Sequence, residues 1–597
     1  MAIKIDKTAL AQKINALEGL DAESKSQLLE LLHERKRYGL IWEEKEEDVE
    51  ERLRNELPVL QEVKERAILS DDPEAPNHIL IEGDNLEALT TLSYTHENQI
   101  DVIYIDPPYN TGNKDFVYND RFVDADDEYR HSKWLSFMAK RLRIAKRLLS
   151  DKGVIFISID DNEQAALKLL CDEIFEEKNF VYELSVVNNL NGNDNSHGMM
   201  ETQEYCLIYS KDKSILELGV LPLEEDEEGD WFQDEIGYWK VGRCLKATGI
   251  NAPREARPNL FYPVYINEET LEFTTKEEVG AGWYHLIPLT EGREMSWYWS
   301  RETLERDKNE VIVKKTTEGY SLYKKQRPAL GDMPSKRGKT TFYSPKYANA
   351  NSNAEIKNIF GQKVFDYSKA TQLIKDFISL GNTRNGVILD FFAGSGTTLH
   401  ATMQLNADDG GHRKCILVTN NENHICEEVT YERNKRVING YTTPKGEQIA
   451  GLKNNTLRYY RTDFVARNSS ATAKRELMRT ATDMLCIKND IYTEQSLFGN
   501  RKFRKDVLRY FADGSRAMLI IYTPDAIETV VEQLQTMQPA TPVIVYVFSL
   551  NDYAMDADFE TVADRVELCA LPAAILNAYR KVLPRKQQPT KSEEDAL

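Results

Sequence analysis

The stretch Asp101-Val102-Ile103-Tyr104-Ile105-Asp106-Pro107-Pro108-Tyr109 passes from β-branched and aromatic residues straight into a carboxylate, two prolines and a tyrosine. Such residues predict a buried strand, and a proline, which cannot donate to a sheet ladder, marks its end. Upstream, Ile79-Leu80-Ile81-Glu82-Gly83-Asp84 reads as another short strand ending in a turn, with a helix over Asn85–Thr91. Downstream, Trp134–Leu149 has helical period and Val154–Ile159 reads as a third strand. The texture returns at 387–440, with strands at Val387–Asp390 and Cys415–Thr419. Strands alternating with helices predict an α/β fold, a doubly wound parallel sheet with helices on both faces.

Outward from this core, the 597 residues divide into several expected units. The core occupies 75–210 and 361–445, and 211–360, richer in aromatics, Gly, Pro and charge, reads as a domain inserted within it. Residues 1–70 form an N-terminal helical segment, with Leu10, Ile14 and Leu17 at helix spacing and a second run from Leu28 to Leu32 after a start at Asp21. A C-terminal α/β domain is expected over 470–583, with strands at Met518–Tyr522 and Val543–Phe548, before a flexible tail at 584–597. No apolar run approaches the roughly 18–20 residues of a membrane helix. The N-terminus does not read as a secretory signal. Seven scattered cysteines without a Cys-x-x-Cys pair suit a reduced, cytoplasmic chain without structural zinc.

The loop Asp106-Pro107-Pro108-Tyr109 sits where ligands bind in open α/β sheets, beyond the carboxyl end of a strand. Asp106 and the Pro107 carbonyl offer two acceptors beside the flat face of Tyr109, with Pro108 stiffening the turn. That combination suits an exocyclic amine on a planar base. A second constellation is Asp390-Phe391-Phe392-Ala393-Gly394-Ser395-Gly396-Thr397-Thr398, between a strand and a helix. Gly394 and Gly396 admit close backbone approach, and the helix start favours an anion. There is no third glycine and no phosphate-loop lysine, so a carboxylate-bearing ligand such as S-adenosylmethionine fits as well as a phosphate. Glu422, after the next strand, is placed to hold ribose hydroxyls, and Asp84 either to meet the adenine edge of a cofactor or to cap the helix after it.

In this order the motifs resemble the β group of adenine-N6 DNA methyltransferases, and more narrowly the methyltransferase (Mod) subunit of type III restriction-modification systems. Further matches are Glu82–Leu89, Tyr109-Asn110-Thr111-Gly112, Trp134–Met138, Gly153–Asp161, Arg257–Pro263 and Thr430-Tyr431-Glu432-Arg433. The resemblance covers most of 75–440. It implies a Rossmann-like methyltransferase core with S-adenosylmethionine as cofactor, no metal, and transfer of a methyl group to an adenine rotated out of double-stranded DNA. Asp106, Pro107, Pro108 and Tyr109 would be the catalytic loop. Asp390, Phe392, Gly394, Gly396, Thr397, Glu422 and Asp84 would hold the cofactor. The family's Pro-Lys-Pro stretch is replaced by Phe365-Asp366-Tyr367-Ser368-Lys369-Ala370, which keeps Lys369 for a cofactor role without its flanking prolines. The resemblance also implies a homodimer associating through the C-terminal region, and a restriction subunit carrying helicase and nuclease activity. A solitary methyltransferase, a cytosine-N4 enzyme and a non-catalytic DNA-binding scaffold are the alternatives; Asp106, where the cytosine group typically has Ser, disfavours the second.

Charge opposes this reading only as an average. The chain has 97 Asp+Glu against 76 Lys+Arg, a net −21, which disfavours a polyanionic partner. Locally, 221–235 holds eight acids and no base, while 311–350 has nine Lys/Arg against two acids. Lys314, Lys315, Lys324, Lys325, Arg327, Lys336, Arg337 and Lys339 are therefore the expected DNA contacts. Trp231, Trp239, Trp283, Trp297 and Trp299 of the inserted region read as local core.

Overall fold

Short apolar runs and strand-ending turns build the sheet that carries the site. The computed structural model describes residues 42–584 apart from 113–114, 120, 195–197, 224–228, 278, 318, 329–333, 469, 538, 540 and 552. The helices expected within 1–41 and nearly all of the tail lie outside the described residues, as does part of the acidic run at 221–235. The chain divides into two compact units, one formed by Leu218–Lys339 and the other by the chain on either side of it.

The larger unit is built on a ten-stranded sheet. Its strands are β1 (Glu56–Glu62), β2 (Asn77–Glu82), β3 (Ile100–Ile105), β4 (Leu149–Ile159), β5 (Phe180–Val187), β6 (Gln203–Ser210), β7 (Thr341–Phe342), β8 (Val387–Asp390), β9 (Lys414–Thr419) and β10 (Thr456–Ala466). Their spatial order is β1-β10-β2-β9-β8-β3-β4-β6-β5-β7. The five central strands β2, β9, β8, β3 and β4 are parallel, as expected. The flanks depart from a purely parallel sheet: β6 runs antiparallel to both β4 and β5, and β1 antiparallel to β10. Its helices include α1 (Asp48–Asn55), α2 (Asn85–Thr95), α3 (Arg130–Leu148), α4 (Asn349–Phe360), α5 (Thr371–Leu380), α6 (Thr397–Asp409) and α7 (Glu432–Asn439). Alternation along β3 feeds two cores. Ile103 and Ile105 pack with α2 and α3, whereas Tyr104 meets Phe377 of α5, with ring centroids 5.9 Å apart.

The inserted unit is narrower than the 211–360 expected from composition, because Thr341–Phe342 pairs with β5 and α4 precedes the second half of the core. It contains a four-stranded antiparallel sheet (Trp231–Asp234, Gly237–Cys244, Gly319–Gln326, Val311–Thr316) and a three-stranded one. Their core includes Leu245, Tyr262, Val264, Ile266 and Leu322 around Trp297, whose indole N–H donates to the Tyr262 carbonyl at 2.9 Å.

The stretch expected as a C-terminal domain at 470–583 does contain a mixed five-stranded sheet, but it is continuous with the core. Its helices Thr482–Asn489 and Ala573–Arg580 pack on α2 within one hydrophobic cluster. The Tyr579 hydroxyl donates to the Pro58 carbonyl at 2.6 Å. Among the described residues no helix is long and apolar enough to cross a membrane.

Candidate active site

The carboxyl ends of four neighbouring strands carry the chemistry. In the spatial order β2, β9, β8, β3 they present Asp84, Glu422, the glycine loop and Asp106. Two cavities open there. One of 660 Å³ is lined by Asp106, Pro107, Pro108, Tyr109, Lys369, Asp390, Ser395 and Thr397 among others. The second, of 470 Å³, is lined by Asp84, Glu422, Phe391, Val418 and their neighbours. Phe392 and Gly394 border both.

At the first cavity the Tyr109 hydroxyl donates to Asp106 Oδ1 at 2.8 Å and accepts from Lys369 Nζ at 2.7 Å. Lys369 Nζ also lies 3.3 Å from Asp106 Oδ1 and donates to both oxygens of buried Glu204 at 2.6 Å. Glu204, on β6, further accepts from Asn188 Nδ2 at 2.8 Å. Burial pushes the Asp106 carboxyl above its ordinary range; the Lys369 ammonium opposes this and Glu204 adds to it. Burial pulls the Lys369 ammonium down, but Asp106 and Glu204 outweigh that and hold it charged, above its ordinary value. The Pro108 carbonyl is taken by the Trp134 indole N–H at 2.7 Å, which locks the turn onto α3. The next residue, Asn110, adopts a left-handed φ of 58° and donates to buried Glu163 at 2.5 Å. Lys369 thus sits at the Asp-Pro-Pro-Tyr loop, with no flanking proline needed to place it.

In the glycine loop the expected residues divide by role. Asp390 folds the loop: Oδ1 accepts the Phe392 N–H at 2.9 Å and Oδ2 the Thr398 hydroxyl at 2.6 Å. Burial raises its carboxyl to about 7 against those two hydrogen bonds. Gly396 has φ +76°, and a Cβ there would stand 2.5 Å from Asn434 Nδ2, so this glycine admits α7 rather than a ligand. Gly394, at φ +48°, has 3.5 Å of clearance and borders both cavities. Thr397 is turned inward to Arg433, whose fully buried guanidinium donates to Thr397 Oγ1 at 2.7 Å, Ser395 Oγ at 3.1 Å and Ser368 Oγ at 3.2 Å. Its other nitrogen donates to Glu355 at 2.7 Å.

At the second cavity Glu422 is exposed at the end of β9. Asp84 does cap α2, its Oδ1 accepting from the Leu86 N–H at 2.7 Å, yet its side chain stays 39% exposed toward the cavity, so both expected roles are open to it. Gly394 gives close approach, Phe392 a ring, and Asp84 and Glu422 acceptors, so the residues present fit a nucleoside joined to an amino-acid end. Glu204 and Arg433 are site residues that the sequence motifs missed or left without a role.

Of the expected DNA contacts, two are committed within their own unit. Lys325 pairs with Asp234 at 2.7 Å, and Arg327 bridges Asp234 at 2.7 Å and Glu310 at 2.8 Å. Lys324 and Lys336 are half-buried, whereas Lys314, Lys315, Arg337 and Lys339 are exposed.

A family model described as DNA methylase matches residues 100–433. The chain is 40% identical over 372 residues to the type III restriction-modification enzyme EcoPI Mod subunit of Escherichia phage P1, covering 58% of each. It is 38% identical over 369 residues to the type II methyltransferase M.KpnI of Klebsiella pneumoniae, covering 60% of this chain and 84% of that one. Against the StyLTI Mod subunit of Salmonella typhimurium it is 34% identical over 369 residues, covering 58% and 52%. The matched stretch therefore spans little more than half the length of these two Mod subunits.

Proposed function

This chain belongs to the DNA methylase family, and on that premise we propose that it transfers a methyl group from S-adenosylmethionine to the N6 amine of an adenine in double-stranded DNA. The observation that carries the reading is the order of groups along the strand ends. Asp84 would take the adenine, Glu422 the ribose and the glycine loop the amino-acid end of the cofactor, in a row of strand ends that finishes at Asp106.

When bound, S-adenosylmethionine supplies an electrophilic methyl group on a sulfonium. The protein's part is to improve a poor nucleophile, since the lone pair of adenine's amine is delocalised into the ring. Asp106 accepts one amine hydrogen. With the Pro108 carbonyl held by Trp134, the Pro107 carbonyl accepts the other, and Tyr109 presents its ring to the base. Two acceptors favour a more tetrahedral nitrogen and hold it in line. Positive charge grows on that nitrogen, so the Asp106 carboxylate binds the transition state more tightly than the ground state. Lys369 opposes the protonation of Asp106 that burial favours, and Glu204 keeps Lys369 in place. The direct test is incubation with methyl-labelled S-adenosylmethionine and unmethylated genomic DNA: label enters DNA if the reading holds, and DNA left unlabelled by folded, cofactor-binding protein refutes it.

DNA is held through the inserted unit, with Lys314 and Lys315 meeting phosphates. The Lys314→Ala/Lys315→Ala double variant should weaken DNA binding and lower the slope of log Kd against log salt by about 1–2, with kcat unchanged. An unchanged slope removes these lysines from the interface. The two Mod-subunit relatives support a modification subunit that joins a restriction subunit. The likeness to M.KpnI, of which the match covers 84%, favours as a second reading a methyltransferase acting without such a partner. Co-purification with the products of adjoining genes distinguishes the two.

A further inference from the structure

The wall of the 470 Å³ cavity includes residues that precede the family match: Glu47, Asp48 and Val49, at the start of α1. Glu47 is the N-cap of α1, and its own N–H donates to the Glu50 carboxylate at 3.0 Å. Its carboxylate is 7% exposed and lies 2.9 Å from Arg141 Nη1. Arg141 comes from α3 and is fully buried, its guanidinium stacked 3.6 Å over the Phe137 ring. Nε donates to the Asn85 side-chain carbonyl, and Nη1 also donates to the Phe137 carbonyl at 2.9 Å. Nη2 makes no hydrogen bond and is aimed at Asp84 Oδ2, 3.5 Å away. Asp84 Oδ1 is already used by the helix cap, so the oxygen facing Arg141 is the one available to a ligand.

This N-terminal arm, residues 46–49, is fastened from its other side as well. The Asp48 N–H donates to Asn119 Oδ1 at 3.0 Å, and Asn119 Nδ2 to the Glu46 carbonyl at 3.2 Å, which ties the arm to the loop following Tyr109. Between arm and strand ends the rings of Phe116, Phe137 and Phe392 follow one another at centroid separations of 5.2 and 5.8 Å. The cavity thus offers aromatic surface bounded by a carboxylate that faces a buried guanidinium. A carboxylate accepts from the exocyclic amine of adenine and repels the 6-oxo group of a guanine or hypoxanthine.

We propose that the N-terminal arm is part of the cofactor site, with Glu47 and Arg141 as positioning residues that set Asp84 for the adenine edge of the cofactor. The guanidinium cannot drift toward solvent because Glu47 and Asn85 hold it on two sides, and the charge on its remaining nitrogen, 3.5 Å from Asp84 Oδ2, draws that carboxylate to one side. This inference rests on the reading that the cavity takes S-adenosylmethionine.

The test uses the full chain and two variants, Glu47→Gln and Arg141→Lys. S-adenosylmethionine affinity is measured by calorimetry, together with the affinity ratio between S-adenosylhomocysteine and its 6-oxo (inosine) analogue. Both variants should raise Kd for S-adenosylmethionine about tenfold, a loss of one decade in binding. They should shrink the adenine-over-hypoxanthine ratio by a similar factor and leave kcat at saturating cofactor and KM for DNA unchanged. Glu47→Gln retains the shape of the side chain, so it keeps the test open if Arg141→Lys fails to fold. A role confined to stability would lower Tm while leaving Kd and the ratio as in the wild type, and that result overturns the inference alone. Wild-type protein that binds no S-adenosylmethionine overturns the functional reading and this inference together.

Discussion

Asp106→Ala is expected to slow single-turnover methyl transfer by about 10²–10³-fold or more while S-adenosylmethionine affinity stays within a few-fold of wild type. The carboxylate stands at the end of β3, beside Tyr109 and Lys369, whereas Glu422 and Asp84, which border the second cavity, stand two and three strands away. Removing Asp106 deletes an acceptor that gains strength as charge develops on the amine, so the loss falls on the chemical step. Quenched-flow transfer on a duplex containing the site, paired with calorimetric titration of the cofactor, separates the two effects. A variant that folds but no longer binds cofactor contradicts the assignment of Asp106 to the target base.

Lys369→Met should be nearly as damaging at neutral pH, by about 10²-fold, and its defect should shrink as pH rises. With the ammonium gone, Asp106 and Glu204 remain as neighbouring carboxyls in a buried site. Burial already raises the Asp106 carboxyl, Lys369 is what opposes that rise, and Glu204 repels its ionised form. Without Lys369 the Asp106 pKa climbs further, the carboxyl is protonated over a wider range, and a protonated carboxyl is a poorer acceptor for the amine. The acid limb of kcat against pH should therefore move to higher pH, with activity recovering above it. A pH-independent loss accompanied by weaker cofactor binding would instead assign Lys369 to the cofactor, the role its place in the family motif suggests. A cationic residue held 2.7 Å from the Tyr109 hydroxyl and 2.6 Å from Glu204 favours the first outcome.

The parts of this site that are legible in the sequence are contiguous. Asp106 to Tyr109 and Asp390 to Thr398 each place several chemically distinctive residues on one strand-ending loop, so a single reading frame captures them. Glu204 escapes because it stands alone on β6, one acid within Gln203–Ser210, and acquires meaning only when that antiparallel strand pairs with β4. Arg433 lies within a stretch recognised as matching the family, yet its role depends on Ser368, Ser395, Thr397 and Glu355 converging from three other segments. The glycines show the same limit. Spacing alone gives Gly394 and Gly396 equal weight, but α7 occupies the space beside Gly396 and leaves Gly394 to the cavities.

For the sheet, β-branched runs reveal the five central strands, because strands buried on both faces are apolar throughout. Their antiparallel flanks are harder to read. The edge strand β1 contains Pro58, which demotes it as a strand by pattern and is tolerated because one side of an edge strand needs no partner. Charge counting found the basic stretch of the inserted unit but not its internal neutralisation. Lys325 and Arg327 answer Asp234 and Glu310, which are distant in sequence and adjacent in the folded sheet.

The central claim is that Asp106 and its loop receive the amine of an adenine. The most direct measurement is nucleoside analysis of duplex DNA methylated by the wild-type protein with labelled S-adenosylmethionine, run beside Asp106→Ala. The account predicts label in N6-methyladenine alone for the wild type and none for the variant. Label in N4-methylcytosine, or equal labelling by the two proteins, would contradict it.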